Sequence, residues 1–153
     1  MLNCFKLKQN IHSYFLQLAS GKVQFLQKCL DDLKESATNE TKSTAGDKFE
    51  TALAMLQIEQ ANIGKQLEEA LAQLRIFEKL NPQIITIKIT NGSLVKTNRG
   101  YFYVSVALGK AMIDGVEIIA LSMLSPLGNK FKGLKSGDKF ELNGNLFLIE
   151  SVA

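Results

Sequence analysis

Residues 49–77 read FETALAMLQIEQANIGKQLEEALAQLRIF. Within them Phe49, Leu53, Leu56, Gln60, Ile63, Leu67, Ala70, Leu74 and Phe77 recur at alternating steps of four and three residues. That spacing keeps one seam on one face of a helix over four repeats, interrupted only by Gln60. The positions between are rich in Gln, Glu, Lys and Ala, which favour helix on solvated faces. Upstream, Ile11, Phe15, Leu18, Leu26, Cys29 and Leu33 form a second, less regular stripe, with Lys22 in its gap beside Gly21. The intervening segment, SATNETKSTAGD over 36–47, carries no large apolar side chain. Its Ser, Thr and Asn side chains compete for backbone hydrogen bonds and favour turns and caps. Each stripe needs a partner to bury it, and the short polar connection makes the other stripe that partner. The pattern therefore predicts an antiparallel α-helical coiled-coil hairpin over 1–80 with its tip near 36–47. Arms of about 30 residues would each be roughly 45 Å long.

Asn81-Pro82 stops the second helix, because proline lacks an amide donor and disfavours helix in the residue before it. Beyond it the periodicity changes. Ile84–Ile89, Tyr101–Val106 and Val116–Leu121 are short β-branched or aromatic runs, punctuated by Asn91-Gly92, Arg99-Gly100 and Asp114-Gly115. Lys139–Leu142, Asn143-Gly144 and Asn145–Ile149 read as a hairpin. Residues 81–153 are expected to form a small β domain of five or six strands with a short helical turn near 129–134, giving an α+β chain overall.

Composition narrows the function. Of 153 residues, 46% are apolar, enough for a buried core. The net charge of +3 arises wholly beyond residue 80, and is too mild to predict nucleic-acid binding by itself. Residues 31–50 concentrate six acids (Asp31, Asp32, Glu35, Glu40, Asp47 and Glu50) against three lysines. Cys4 and Cys29 have neither a disulfide framework nor metal-ligand spacing, and a single histidine, His12, cannot supply a Cys-His-His condensing site. His12 reads as an ordinary helix residue. No stretch has the length of a transmembrane helix and the N-terminus lacks a signal-peptide pattern, so a cytoplasmic protein with free thiols is expected.

The segment Ser125-Pro126-Leu127-Gly128-Asn129-Lys130-Phe131-Lys132-Gly133-Leu134-Lys135-Ser136-Gly137-Asp138 resembles the Ser-Pro-Ile-x-x-x-Leu-x-Gly-Lys-x-x-Gly-Asp signature of the GreA/GreB transcript-cleavage factors. The strand before it, the strand pair after it and the preceding helical hairpin are similar to that family too. The resemblance implies a C-terminal FKBP-like antiparallel β domain that docks on the rim of the secondary channel of RNA polymerase. It also implies a hairpin whose tip acids help hold the polymerase's second Mg²⁺ and position the water that cuts backtracked RNA. The implied protein is an accessory factor and not an enzyme by itself. It would act as a monomer, hold no cofactor alone, meet nascent RNA only indirectly and have no membrane partner.

Carried onto this chain, Glu40 takes the place of the tip glutamate. Ala37 stands where the family has an aspartate, and Ser43 where it has a tyrosine. Asp47 is a candidate compensating acid, as is Glu35. The candidate partner-binding residues are Ser125, Pro126, Leu127, Lys130 and Lys132, within a basic cluster that also holds Lys135 and Lys139. With one tip carboxylate retained, two Gre-like readings stand: stimulation of cleavage, and occupation of the channel without cleavage. Outside that class stand a prolyl isomerase or chaperone-like module, and a coiled-coil adaptor whose seam recruits another helix.

Overall fold

The structure, a computed structural model, describes the backbone of residues 4–43 and 47–153 and the side chains of residues 4–39 and 50–153. Two helices, α1 (Cys4–Ser43) and α2 (Asp47–Lys79), precede six strands. These are β1 (Leu94–Thr97), β2 (Gly100–Ser105), β3 (Gly109–Ile113), β4 (Val116–Ser122), β5 (Lys139–Leu142) and β6 (Asn145–Val152), with a short helix α3 (Pro126–Phe131) between β4 and β5. The α+β layout expected from the change of period is present. The chain divides into two compact units: one holds residues up to Gln17 together with Arg75–Ala153, the other holds Leu18–Leu74.

In the Leu18–Leu74 unit, Leu26, Leu67 and Ala70 form a buried cluster, flanked by Val23, Leu30, Ile63 and Leu71. The side-chain amide of Gln60 donates to the carbonyl of Leu33 at 3.4 Å. The residue that interrupts the seam is thus satisfied by the backbone of the facing helix, which is what burying a polar group requires. Of the described seam positions, Leu67, Ala70 and Phe77 are buried and Leu53, Leu56, Gln60, Ile63 and Leu74 are half-buried. In α1 the stripe shifts: Leu18 is 44% exposed and Ala19 is buried in its place. The buried residues Leu7, Ile11, Phe15 and Ala19 recur every four residues, so the inward face turns slowly around the helix and passes Leu18 by. The polar stretch is also more helical than its composition implies, since α1 continues to Ser43. Thr38 Oγ1 donates to the Lys34 carbonyl one turn back, spending within the helix the bond that elsewhere favours a turn.

In the other unit the sheet order is β3-β4-β2-β1-β6-β5. The sheet is mixed rather than antiparallel: β2 and β4 pair in parallel, Tyr101 opposite Ile118 through Ser105 opposite Ser122. The connection over 106–108 carries the chain past one strand position to β3 at the edge, and a tight hairpin then returns β4 into the gap. Asp114 and Gly115 (φ 51° and 78°) make that hairpin turn, and Asn143 and Gly144 (51° and 79°) make the one between β5 and β6. Both pairs have the two positive φ values of a type I′ turn, whose twist matches that of the flanking strands.

The run Ile84–Ile89, expected as a strand from its composition, is not one. Only Lys88 forms an isolated bridge, to Lys135, while Ile84, Ile85 and Ile87 are 56%, 61% and 82% exposed. The sheet leaves this run no full-length partner, and β propensity without one does not make a strand. β2 explains where the core lies. Phe102 and Val104 point into one cluster with Leu121, Phe131, Phe147 and Ile149. Tyr103 points to the opposite face, where its ring lies 6.4 Å from that of Phe77 in α2 and 6.1 Å from that of His12 in α1. A strand covered on both faces reads as a continuous apolar run, as Tyr101–Val106 does.

Candidate functional site

The Ser125–Asp138 segment folds as a capped helix followed by a turn. Ser125 opens α3 as its N-cap, with Pro126 at the first helical position, where a missing amide hydrogen costs nothing. The Ser125 hydroxyl accepts from the Gly128 amide at 3.0 Å and donates to the Ser122 carbonyl at 2.6 Å. The Ser122 hydroxyl in turn accepts from the Leu124 amide at 3.1 Å. Phe131 closes the helix and is fully buried, its ring 5.4 Å from those of Phe102 and Phe140. Phe140 and Phe147 stack at 5.0 Å, and the Arg99 guanidinium lies 5.4 Å from the Phe147 centroid. At the C-terminal end the Asp138 carboxylate accepts from the Lys135 amide at 2.9 Å, closing the Lys-Ser-Gly-Asp turn.

This scaffold sorts the candidate partner-binding residues. Ser125 is occupied within the cap, and Leu127 is half-buried against the aromatic core. Pro126, Lys130 and Lys132 are exposed. Leu124, which carries no signal in the sequence, is 87% exposed immediately before the cap. Lys88 meets Lys135 across the isolated bridge, and Lys135 and Lys139 are exposed. The displayed chemistry is therefore one bare leucine and a proline beside a set of lysines. That combination can bury a small apolar anchor and complement an acidic surface.

At the other candidate position, Glu40 lies in the last turn of α1 and Asp47 is the first residue of α2. Their side chains lie outside the described residues. Glu35 and Asp32 are exposed on α1. Among the described residues no group of three or more His, Cys, Asp or Glu side chains is arranged to hold a metal ion, and no helix is long and apolar enough to cross a membrane.

A third set of polar residues is not visible in the sequence. His12 is 7% exposed, with Nδ1 2.8 Å from the Tyr103 hydroxyl. Lys8, one turn earlier, is 1% exposed and donates from Nζ to the Ile84 carbonyl at 2.6 Å. Burial, and then the Lys8 charge, holds the imidazole below its ordinary 6.5. Burial alone lowers Lys8 and pushes the Tyr103 phenol up. The only trace in the sequence is a Lys-His pair four residues apart beside the Leu7–Ile11–Phe15 stripe.

A pH dependence follows. The unfolded chain takes up a proton on His12 near 6.5, the folded chain only at lower pH. Between those values the unfolded state holds more protons, so stability falls on acidification through that window and is fully present above it. Urea midpoints at about pH 7.5 and about pH 5 are expected to differ more for the wild type than for His12→Gln. Equal differences would remove His12 from the acid sensitivity.

Searches against family models, curated proteins and solved structures find no match to this chain.

Proposed function

We propose that this chain is a Gre-like factor that binds the secondary channel of RNA polymerase and modulates elongation, stimulating cleavage of backtracked RNA. The observation that carries the proposal is the Ser125–Asp138 segment. It resembles the family signature in sequence, and it folds so that its Ser-Pro start serves as a cap while Leu124, Pro126, Lys130 and Lys132 are displayed. In this reading the mixed sheet with α3 is the FKBP-like docking domain, and α1 and α2 are the coiled-coil hairpin. The buried cluster of Leu26, Leu67 and Ala70, with the rest of the described seam half-buried or buried, supports the hairpin.

The tip would bring Glu40, assisted by Asp47, to the polymerase's own Mg²⁺ site, so catalysis belongs to the polymerase and no cofactor is held by this chain alone. A cytoplasmic location follows from that partner. The second reading, a channel-binding regulator without cleavage activity, is favoured by a specific feature: Ala37 and Ser43 replace the aspartate and tyrosine of the resembled tip. Stalled, backtracked elongation complexes separate the two. Wild-type protein is expected to accelerate RNA cleavage, and Glu40→Ala to lose at least about tenfold of that stimulation, about 1.4 kcal/mol of transition-state stabilisation. Equal stimulation by the two proteins would take Glu40 out of the mechanism. Binding without stimulation by wild type would establish the second reading.

A further inference from the structure

A groove runs along one side of the seam between α1 and α2. Its larger part, about 510 Å³, has Cys29, Leu33 and Ile63 as its apolar lining. A second hollow of about 340 Å³ continues it past Leu56 and Met55, and Ser36 and Glu59 border both. On α1 the lining residues Cys29, Leu33 and Ser36 are spaced by four and three, and on α2 Ala52, Leu56, Glu59 and Ile63 repeat the same steps. Each wall is therefore one helix face, roughly 16 Å long on α2. The groove is open for a local reason. In the neighbouring layer Leu26, Leu67 and Ala70 bury one another, whereas here the seam is bridged by the Gln60 amide bonded to the Leu33 carbonyl. Cys29, Leu33, Leu56 and Ile63 are left half-buried, Met55 is 65% exposed, and Phe25, one turn before Cys29 on the same face, is 66% exposed. The charge along the walls has one sign. Residues 29–36 and 52–63 hold Asp31, Asp32, Glu35 and Glu59 against Lys34 alone. Asp32 borders the groove from α1 and Glu59 from α2, and among the described residues neither forms an ion pair.

We propose that this groove takes a basic amphipathic helix of a partner protein, its apolar stripe laid between α1 and α2 and its flanking lysines or arginines meeting Asp32 on one side and Glu59 on the other. Walls with a repeat of four and three accept the ridge of a third helix, which would complete a three-helix core, and do not match the two-residue repeat of a strand. The acids select the sign of the partner: like charge along the groove would be repelled and opposite charge would speed association. A second copy offering this same face would set acids against acids. None of Leu124, Pro126, Lys130, Lys132, Glu40 and Asp47 takes part, so the groove stands or falls apart from the polymerase reading.

The test is titration of the full-length protein with an acetylated, amidated peptide of about 14 residues that carries leucine at i, i+3, i+4 and i+7, lysine on both flanks and alanine elsewhere. One control keeps the leucines and exchanges lysine for glutamate, and a second keeps the composition in scrambled order. Heat of binding and site-resolved alkylation of Cys29 are the readouts, because Cys29 is half-buried in the groove wall. The basic peptide is expected to bind saturably with a Kd on the order of 100 μM or tighter, at least about tenfold tighter than either control. Near saturation it is expected to slow alkylation of Cys29 at least about threefold and to leave that of the exposed Cys4 unchanged. Asp32 and Glu59 are exposed, so Asp32→Lys combined with Glu59→Lys is expected to retain the far-ultraviolet spectrum, to weaken the basic peptide at least about tenfold and to favour the glutamate peptide. Equal affinity for the three peptides, Cys29 alkylation unaffected by the basic peptide, or wild-type affinity in the double variant would each overturn the assignment. So would protection of Cys29 that grows with the concentration of the wild-type protein alone, which would place a second copy in the groove.

Discussion

Replacing Gly128 with alanine is expected to destabilise the protein by about 3 kcal/mol or more, seen as a fall in Tm of roughly 6–12 °C. A Cβ on Gly128 would press into the Ser122 carbonyl oxygen and lie 2.7 and 2.9 Å from Met123 Cα and C. All three are backbone atoms, so no rotamer change relieves the clash. The Ser122 carbonyl is also the acceptor for the Ser125 amide and hydroxyl, at 3.0 and 2.6 Å. Moving it away from a new methyl group would break the contacts that cap α3. That cap sets the position of Phe131, whose ring fills the aromatic core with Phe102, Phe140 and Phe147. Gly21→Ala serves as the control. A methyl group added at Gly21 would meet no atom within 4 Å and the residue is exposed in α1, so that substitution is expected to be neutral or to stabilise by up to about 1 kcal/mol. A Gly128→Ala protein with wild-type Tm would show that α3 is not seated on the end of β4 as described.

The parts of this fold legible in the sequence are those set by local periodicity and turn chemistry. The four-three seam of α2 is half-buried or buried at every described position, and Asn143-Gly144 makes the hairpin turn that its residues dictate. Local signals mislead where a distant partner decides the outcome. The Ile84–Ile89 run has strand composition, but the place beside β1 is taken by β2 on one side and β6 on the other. Leu18 yields its inward position to Ala19 because the stripe of α1 advances by fours there. The parallel β2–β4 pair depends on a connection that skips a strand, which alternation within a strand does not encode.

The candidate sites follow the same division. The short helical turn expected near 129–134 lies earlier, at Pro126–Phe131, because Ser125 caps it and Pro126 opens it, a local signal that the expectation left unused. Lys8 and His12 gain their character from Ile84 and Tyr103, 76 and 91 residues away in sequence. No short window of sequence contains those pairs. Leu124 escapes a reading by residue type because its meaning lies in its exposure, a property of the folded turn.

The proposed docking face makes the second large prediction. Leu124 is 87% exposed and its backbone amide, not its side chain, serves the turn. Leu124→Asp therefore leaves the internal contacts of the fold intact while setting a charge where the partner would bury an apolar anchor. Truncating or charging such an anchor commonly costs about 2 kcal/mol or more, so affinity for the polymerase is expected to fall at least about tenfold, with Tm close to wild type. Exchanging Lys130 and Lys132 for glutamine would act more on the rate of association and its salt dependence than on the lifetime of the complex.

The most direct measurement is equilibrium binding of the purified full-length chain to core RNA polymerase, with wild type and Leu124→Asp in parallel. The account predicts saturable binding of the wild type and at least about tenfold weaker binding of the variant. A folded wild-type chain that does not bind the core enzyme, or a variant that binds as tightly as wild type, would contradict it.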